Sequence, residues 1–113
     1  MKHQAIGVDI GTTGVKAALI EVDGRILADA TLEHDLHSPR IGWAEEDPID
    51  WITRTVAALR KPPQSPLLAP AAIAAICVSA LFPAMVLLAE SGMPVRPSIK
   101  TTAARAIATA IEL

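Results

Sequence analysis

The sequence predicts an α/β domain whose mixed sheet begins with antiparallel strands, and three observations carry that expectation. The first is an alternating stretch from Ile6 to Leu19, broken only by Gly11-Thr12-Thr13-Gly14 and followed by a second turn signal at Asp23-Gly24. The second is a helix start at Asp47-Pro48, followed by apolar residues at helical spacing. The third is the uncharged, β-branched run Ile73 to Ser79, which has the length and composition of a buried strand rather than a helix. At 113 residues the chain is one domain or part of one.

Taken in order, Gln4 to Asp9 reads as a first strand, Val15 to Glu21 as a second and Arg25 to Leu32 as a third. Asp23-Gly24 is a strong hairpin signal between the last two, because glycine tolerates the positive φ that a tight hairpin requires. Glu33 to Ile41 has no period and contains Ser38-Pro39, so it reads as loop, with His34 and His37 solvated. Asp47 is placed to cap a helix, with Pro48 at the first helical position and Asp50 in the first turn. Ile49, Ile52, Val56 and Leu59 would bury one face, and Lys61-Pro62-Pro63 would end the helix. Trp43 and Trp51 read as packing anchors that fasten loop and helix to the sheet, with sugar-stacking residues as the alternative. The stretch Pro62 to Pro70 is too rich in proline for a helix and reads as a linker. Met85 to Leu88 resembles another short buried strand, and Pro83 to Glu90 with Met93 to Ile99 forms a hairpin around Ser91-Gly92. Thr102 to Leu113 reads as an alanine-rich helix capped by Thr102.

Composition excludes several function classes. The formal net charge is −2 with both signs interspersed, which points to neither nucleic acid nor an anionic membrane surface. Cys77 is the sole cysteine, so no intrachain disulfide forms, and its apolar surroundings mark an inert core thiol. Three scattered histidines without cysteine partners suggest no zinc site. The N-terminus carries no signal-peptide apolar core, and a cytoplasmic location is the default expectation. The uncharged stretch from Pro62 to Ala89 is long enough to raise a membrane span, but Pro66, Pro70 and Pro83 interrupt it and much of it is alanine. Two buried strands fit it better.

The chemistry concentrates in Asp9-Ile10-Gly11-Thr12-Thr13-Gly14-Val15-Lys16. Gly11 and Gly14 are expected to turn the backbone with positive φ and to let it approach a ligand. Thr12 and Thr13 add hydroxyls, so that N–H and O–H donors converge as an anion cradle. Asp9, at a strand end, can hold a hydrated Mg²⁺ directly or through water, and Lys16 places positive charge near the same phosphates. A plain β-hairpin with a Gly/Thr turn is the structural alternative.

This motif resembles the first phosphate motif of the FGGY carbohydrate kinases, the group of xylulokinase, glycerol kinase and ribulokinase within the actin-like, ribonuclease-H-like ATPases. Asp23-Gly24-Arg25-Ile26-Leu27-Ala28 is similar to the family's second hairpin. Gly42-Trp43-Ala44-Glu45-Glu46-Asp47-Pro48-Ile49-Asp50-Trp51 resembles its GWxEqDPxxWW segment, and Arg96 to Ile99 its Arg-Pro-x-Ile sequence. The resemblance runs collinearly over about the first hundred residues.

It implies an actin-like domain, here incomplete, with residues 1–113 as part of an N-terminal kinase domain and the second, C-terminal domain absent. It implies ATP and Mg²⁺ as cofactors, with Asp9 at the metal and phosphate and Gly11, Thr12, Thr13, Gly14 and Lys16 on the transferring phosphate. The acceptor would be a small sugar or polyol, of xylulokinase type. Leu81, Phe82 and Pro83 would line its site, where the family carries Gln-Met-His-Gly in xylulokinases and Gln-Arg-Glu-Thr in glycerol kinases. A polyol needs hydrogen-bonding partners, and these three residues offer mainly apolar surface. After Arg-Pro-x-Ile the family places an aromatic residue, Asn or Gly, Asp, and soon an Arg; here Lys100, Thr101, Thr102 and Ala103 intervene and only Arg105 matches.

In the family the catalytic base is an Asp well downstream and the adenine pocket lies mostly in a second domain, so this chain alone is expected to be inactive. A half-built sheet with open edges also predicts poor solubility, homo-oligomers, or dependence on a partner chain that replaces the missing domain. The competing expectation is a truncated or degenerate non-catalytic relative acting as a binding module or fold remnant. A further alternative is another actin-like ATPase, against which the Trp-Ala-Glu-Glu-Asp-Pro segment speaks.

Overall fold

The computed structural model describes residues 3–61, 69–80 and 84–100. Strands β1 (Gln4–Ile10), β2 (Gly14–Glu21) and β3 (Ile26–Glu33) form an antiparallel meander. They are followed by the short β4 (Glu45–Glu46), helix α1 (Pro48–Arg60), a 3-10 turn at Pro70–Ala72, and β5 (Ile73–Ala80). The described residues end with β6 (Ala84–Met85) and β7 (Ser98–Lys100). Two sheets result, one of four strands in the order β3-β2-β1-β5 and one of three in the order β4-β7-β6. β5 runs parallel to β1, so the larger sheet is mixed, as the sequence predicts.

Alternation along the meander explains which face is covered. Ile6 and Val8 of β1 and Val15, Ala17 and Leu19 of β2 are buried together with Ala58 of α1, so the helix lies on that side of the sheet. The turn between β2 and β3 forms as expected: Gly24 has φ 88° and Asp23 Oδ1 accepts from Arg25 N at 3.0 Å. Asp47 caps α1 by accepting from Ile49 N at 2.9 Å, with Pro48 in the first turn. The hairpin around Ser91-Gly92 also forms, closed by Ala89 N donating to Met93 O at 2.8 Å.

Burial departs from expectation in four places. The inner stripe of α1 is Pro48, Trp51, Thr55 and Ala58, with Leu59 packed beside it. Ile49, Ile52 and Val56 are exposed, because the helix packs mainly on β2 and β3, and Ile52 and Val56 border an open cleft against Ile10 at the end of β1. β5 is an exposed strand rather than a buried one: Ile76 and Val78 are 57% and 62% exposed, and Cys77 is exposed rather than a core thiol. Among the described residues β5 has a neighbour on its β1 side only. Met85, Leu87 and Leu88 are likewise exposed: β6 is a two-residue edge strand with β7 on one side only among the described residues, and Leu87 and Leu88 lie beyond it. His34, expected to be solvated, is buried at 6% exposure, because it continues the helix-facing series Ala28, Ala30 and Leu32 of β3.

No described helix is long and apolar enough to cross a membrane. The linker residues 62–68, the segment Leu81-Phe82-Pro83 and the helix expected over Thr102 to Leu113 lie outside the described residues.

Candidate phosphate site

The Gly-Thr-Thr-Gly turn joins β1 to β2 at the end where β1 and β5 both finish. Gly11 N donates to Gly14 O at 2.9 Å, closing the turn, and Thr12 and Thr13 are exposed at its tip. Neither Gly11 nor Gly14 has a positive φ, which corrects the expected role of these glycines. Gly14 is required for a different reason. A Cβ there would stand 2.8 Å from the backbone oxygen of Leu32, so β3 can pass this close only if the position is glycine. The turn is also tied down from β3, because His34 N donates to Thr13 O at 3.1 Å.

Strand register then sets the side chains around the turn. Asp9 is paired with Lys16 on β2 and with Ser79 on β5, and Lys16 with Thr31 on β3. These residues face away from α1 and form one polar row across the sheet. The neighbouring row is small: Gly7 is paired with Ala18 on one side and Cys77 on the other. Small side chains beside a polar row leave an open cleft of about 320 Å³, lined by Gly7, Asp9, Lys16, Ala18, Cys77 and Ser79. Lys16 Nζ stands 3.8 Å from Asp29 Oδ2, with both side chains more than half exposed. The Asp9 carboxylate makes no hydrogen bond or ion pair with a described residue.

This donor set fits a water-rich Mg²⁺ better than a caged ion. The described residues contain no group of three or more His, Cys, Asp or Glu able to hold a metal. Mg²⁺ keeps several waters and is usually bound through one or two carboxylates and substrate phosphate. A single open carboxylate at a strand end suits that mode.

Three features of the site region were not legible as site features in the sequence. Ser79 enters the cleft only through the β1–β5 register. His34 lies behind the turn with both ring nitrogens buried and without a hydrogen-bond partner among the described residues; the period-2 pattern of β3, extended by one step, is the signal that finds it. The third is an ionic cluster at the start of α1. Lys100 Nζ lies 2.7 Å from Glu46 Oε2, with side-chain exposures of 4% and 0%. Trp51 Nε1 donates to the same oxygen at 2.7 Å, and the Lys100 ammonium sits 5.0 Å from the centre of the Trp51 ring. Arg96 Nη2 donates to Glu45 Oε1 at 2.6 Å, and Arg40 stacks over Trp43 at 4.8 Å. Trp51 is thus fastened to the small sheet through Glu46.

A meander, a helix on one face, a parallel strand beside the first and a Gly/Thr turn joining the first two strands define a mixed α/β domain of the actin-like class. Residues 4–113 match the N-terminal domain of the FGGY family of carbohydrate kinases, and the chain belongs to that family. A solved xyloylose kinase from Brucella ovis superposes with a TM-score of 0.87 at 32% identity, over 97% of this chain and 23% of that one. The xylulose kinase of Bacillus subtilis (strain 168) is 36% identical over 59 residues, which is 52% of this chain and 12% of that protein. A glycerol kinase from Nitrobacter hamburgensis is 37% identical over 79 residues, 70% of this chain and 16% of its own length. In each of these matches the chain spans under a quarter of its relative.

Proposed function

We propose that this chain is the N-terminal part of an ATP-dependent sugar kinase of xylulokinase type, transferring the γ-phosphate of ATP to a sugar or polyol hydroxyl. The observation that carries this reading is the Asp9–Lys16 turn at the shared end of β1 and β5, inside a family match that spans residues 4–113. The parallel pairing brings the chain leaving Ala80 to the same end of the sheet as the turn. Leu81, Phe82 and Pro83 follow there in sequence and are the proposed lining of the acceptor site. The similarity to xylulose kinases supports the choice of a sugar of that kind.

In-line phosphoryl transfer depends on positioning and on neutralising charge. Here Asp9 would hold Mg²⁺ through water, and the bound ion would supply charge neutralisation for the phosphates. The Thr12 and Thr13 N–H and hydroxyl groups would donate to phosphate oxygens. Lys16 would draw the anion toward β2, exchanging its exposed contact with Asp29. The general base and the adenine pocket would come from a second, C-terminal domain or from a partner chain, in the cytoplasm. On this reading residues 1–113 form a partial domain and are inactive alone. A non-catalytic binding module is the second reading, favoured by the apolar Leu81-Phe82-Pro83 segment.

Calorimetric titration of the chain with Mg·ATP, beside Asp9→Ala, tests the proposal. Binding at millimolar concentration or tighter that is lost in the variant is the expected result. Absence of heat in the wild type would overturn a phosphate site carried by these residues alone and leave the binding-module reading for the isolated chain.

A further inference from the structure

Resting on the kinase reading above, the polar row across β2, β1 and β5 divides the site by charge. Its members run from a cation, Lys16, through an anion, Asp9, to a neutral hydroxyl, Ser79, on adjacent strands about 4.8 Å apart. Lys16 has an anionic neighbour in Asp29 at 3.8 Å on its β3 side, whereas Asp9 has no described partner on either side. A divalent cation near Asp9 is repelled from the Lys16 side and meets only a hydroxyl on the Ser79 side. A phosphate has the opposite preference. The row behind, Ala18-Gly7-Cys77, carries nothing large enough to fill the space, so the cleft stays open on the Ser79 side as well as over β1.

We infer that the hydrated divalent cation lies between Asp9 and Ser79, with the Ser79 hydroxyl accepting a hydrogen bond from one of the ion's water ligands while the phosphate oxygens lie toward Lys16. Ser79 is a positioning residue in this arrangement: it holds the water shell of the ion and does not touch the reacting atoms. No bond is made or broken by it.

Cys77 supplies the readout, because it is the sole thiol of the chain, is exposed, and lines the same cleft one row from Asp9 and Ser79. The experiment measures the rate of Cys77 alkylation by iodoacetamide in the wild type, Ser79→Ala and Ser79→Thr, across a titration of ATP with and without Mg²⁺. Mg·ATP is expected to slow alkylation of the wild type. The half-protecting concentration should rise about tenfold in Ser79→Ala, the loss of one hydrogen bond to a charged assembly, and stay near the wild-type value in Ser79→Thr. With ATP in the absence of metal, Ser79→Ala and the wild type should coincide. Equal protection of Ser79→Ala and wild type by Mg·ATP would overturn the inference while leaving the kinase reading in place. A Ser79→Ala shift of the same size without metal would overturn it too, since the hydroxyl would then serve the anion. A wild type that Mg·ATP does not protect overturns the phosphate site assigned to this chain, and the inference falls with it.

Discussion

The two sheets of this molecule are held together by opposite means. The four-stranded sheet has an apolar seam against α1, made of Ile6, Val8, Val15, Ala17, Leu19 and Ala58, and it presents charge on the uncovered face, where Asp9 and Lys16 stand. In the three-stranded sheet the buried side chains include Glu45, Glu46, Ser98 and Lys100, while Met85 and Val95 nearby face outward. The difference teaches where specificity resides. Apolar burial is non-directional and tolerates small shifts, whereas a desolvated ion pair holds only in one geometry, because each charge is costly without the other. The Glu46–Lys100 pair therefore fixes the end of β7 against the start of α1, and with it the point from which the chain continues toward residue 101. Its neighbours Glu46 Oε1 and Ser98 Oγ are buried without a partner among the described residues, so the cluster tolerates no further loss of hydrogen bonding.

The largest effect is expected at the ion pair. Lys100→Met leaves the Glu46 carboxylate buried and uncompensated and should destabilise the chain by about 3–5 kcal/mol in urea unfolding. Glu46→Leu combined with Lys100→Met should recover most of that loss, since two apolar groups of similar volume avoid both desolvation penalties. Additive losses in the double variant would mean that the small sheet is held like the large one.

Gly14→Ala probes the tighter of the two turns of the meander. The added methyl group meets the Leu32 carbonyl oxygen, which is backbone and cannot swing aside, so a loss of about 1–3 kcal/mol is expected. Amide exchange should quicken first at Gly14 and Glu33, the pair that must separate. A variant as stable as the wild type would show that β3 does not pass as close as described.

The smallest effect belongs to the helix that touches both sheets. Asp47→Ala removes the cap that accepts from Ile49 N and should cost about 1 kcal/mol, with Asp47→Ser restoring most of it. Helical fraying seen by circular dichroism should then precede global unfolding. If the small sheet alone held the helix start, the substitution would leave stability unchanged.

Much of the larger sheet was legible because its signals are local. The meander follows from alternation and from Asp23-Gly24, the start of α1 from Asp47-Pro48, and the turn between β1 and β2 from Gly11-Thr12-Thr13-Gly14. The helix face was legible only in part. Ile49, Ile52 and Val56 have helical spacing, but periodicity defines a stripe without saying how far the covered sheet extends beneath it. The reason for Gly14 was misread for a similar cause: the constraint is the approach of Leu32, eighteen positions away, and not the turn's own φ.

By itself, then, the sequence determined the order and type of the main elements and the family, because strand alternation, caps and turn chemistry act over a few residues. The tertiary structure alone decided that β5 lies exposed with Cys77 on it, that Ser79 stands beside Asp9, and that Glu46 and Lys100 share a buried site. Those pairings join residues more than fifty positions apart, and only the register of strands and the geometry of packing bring them together.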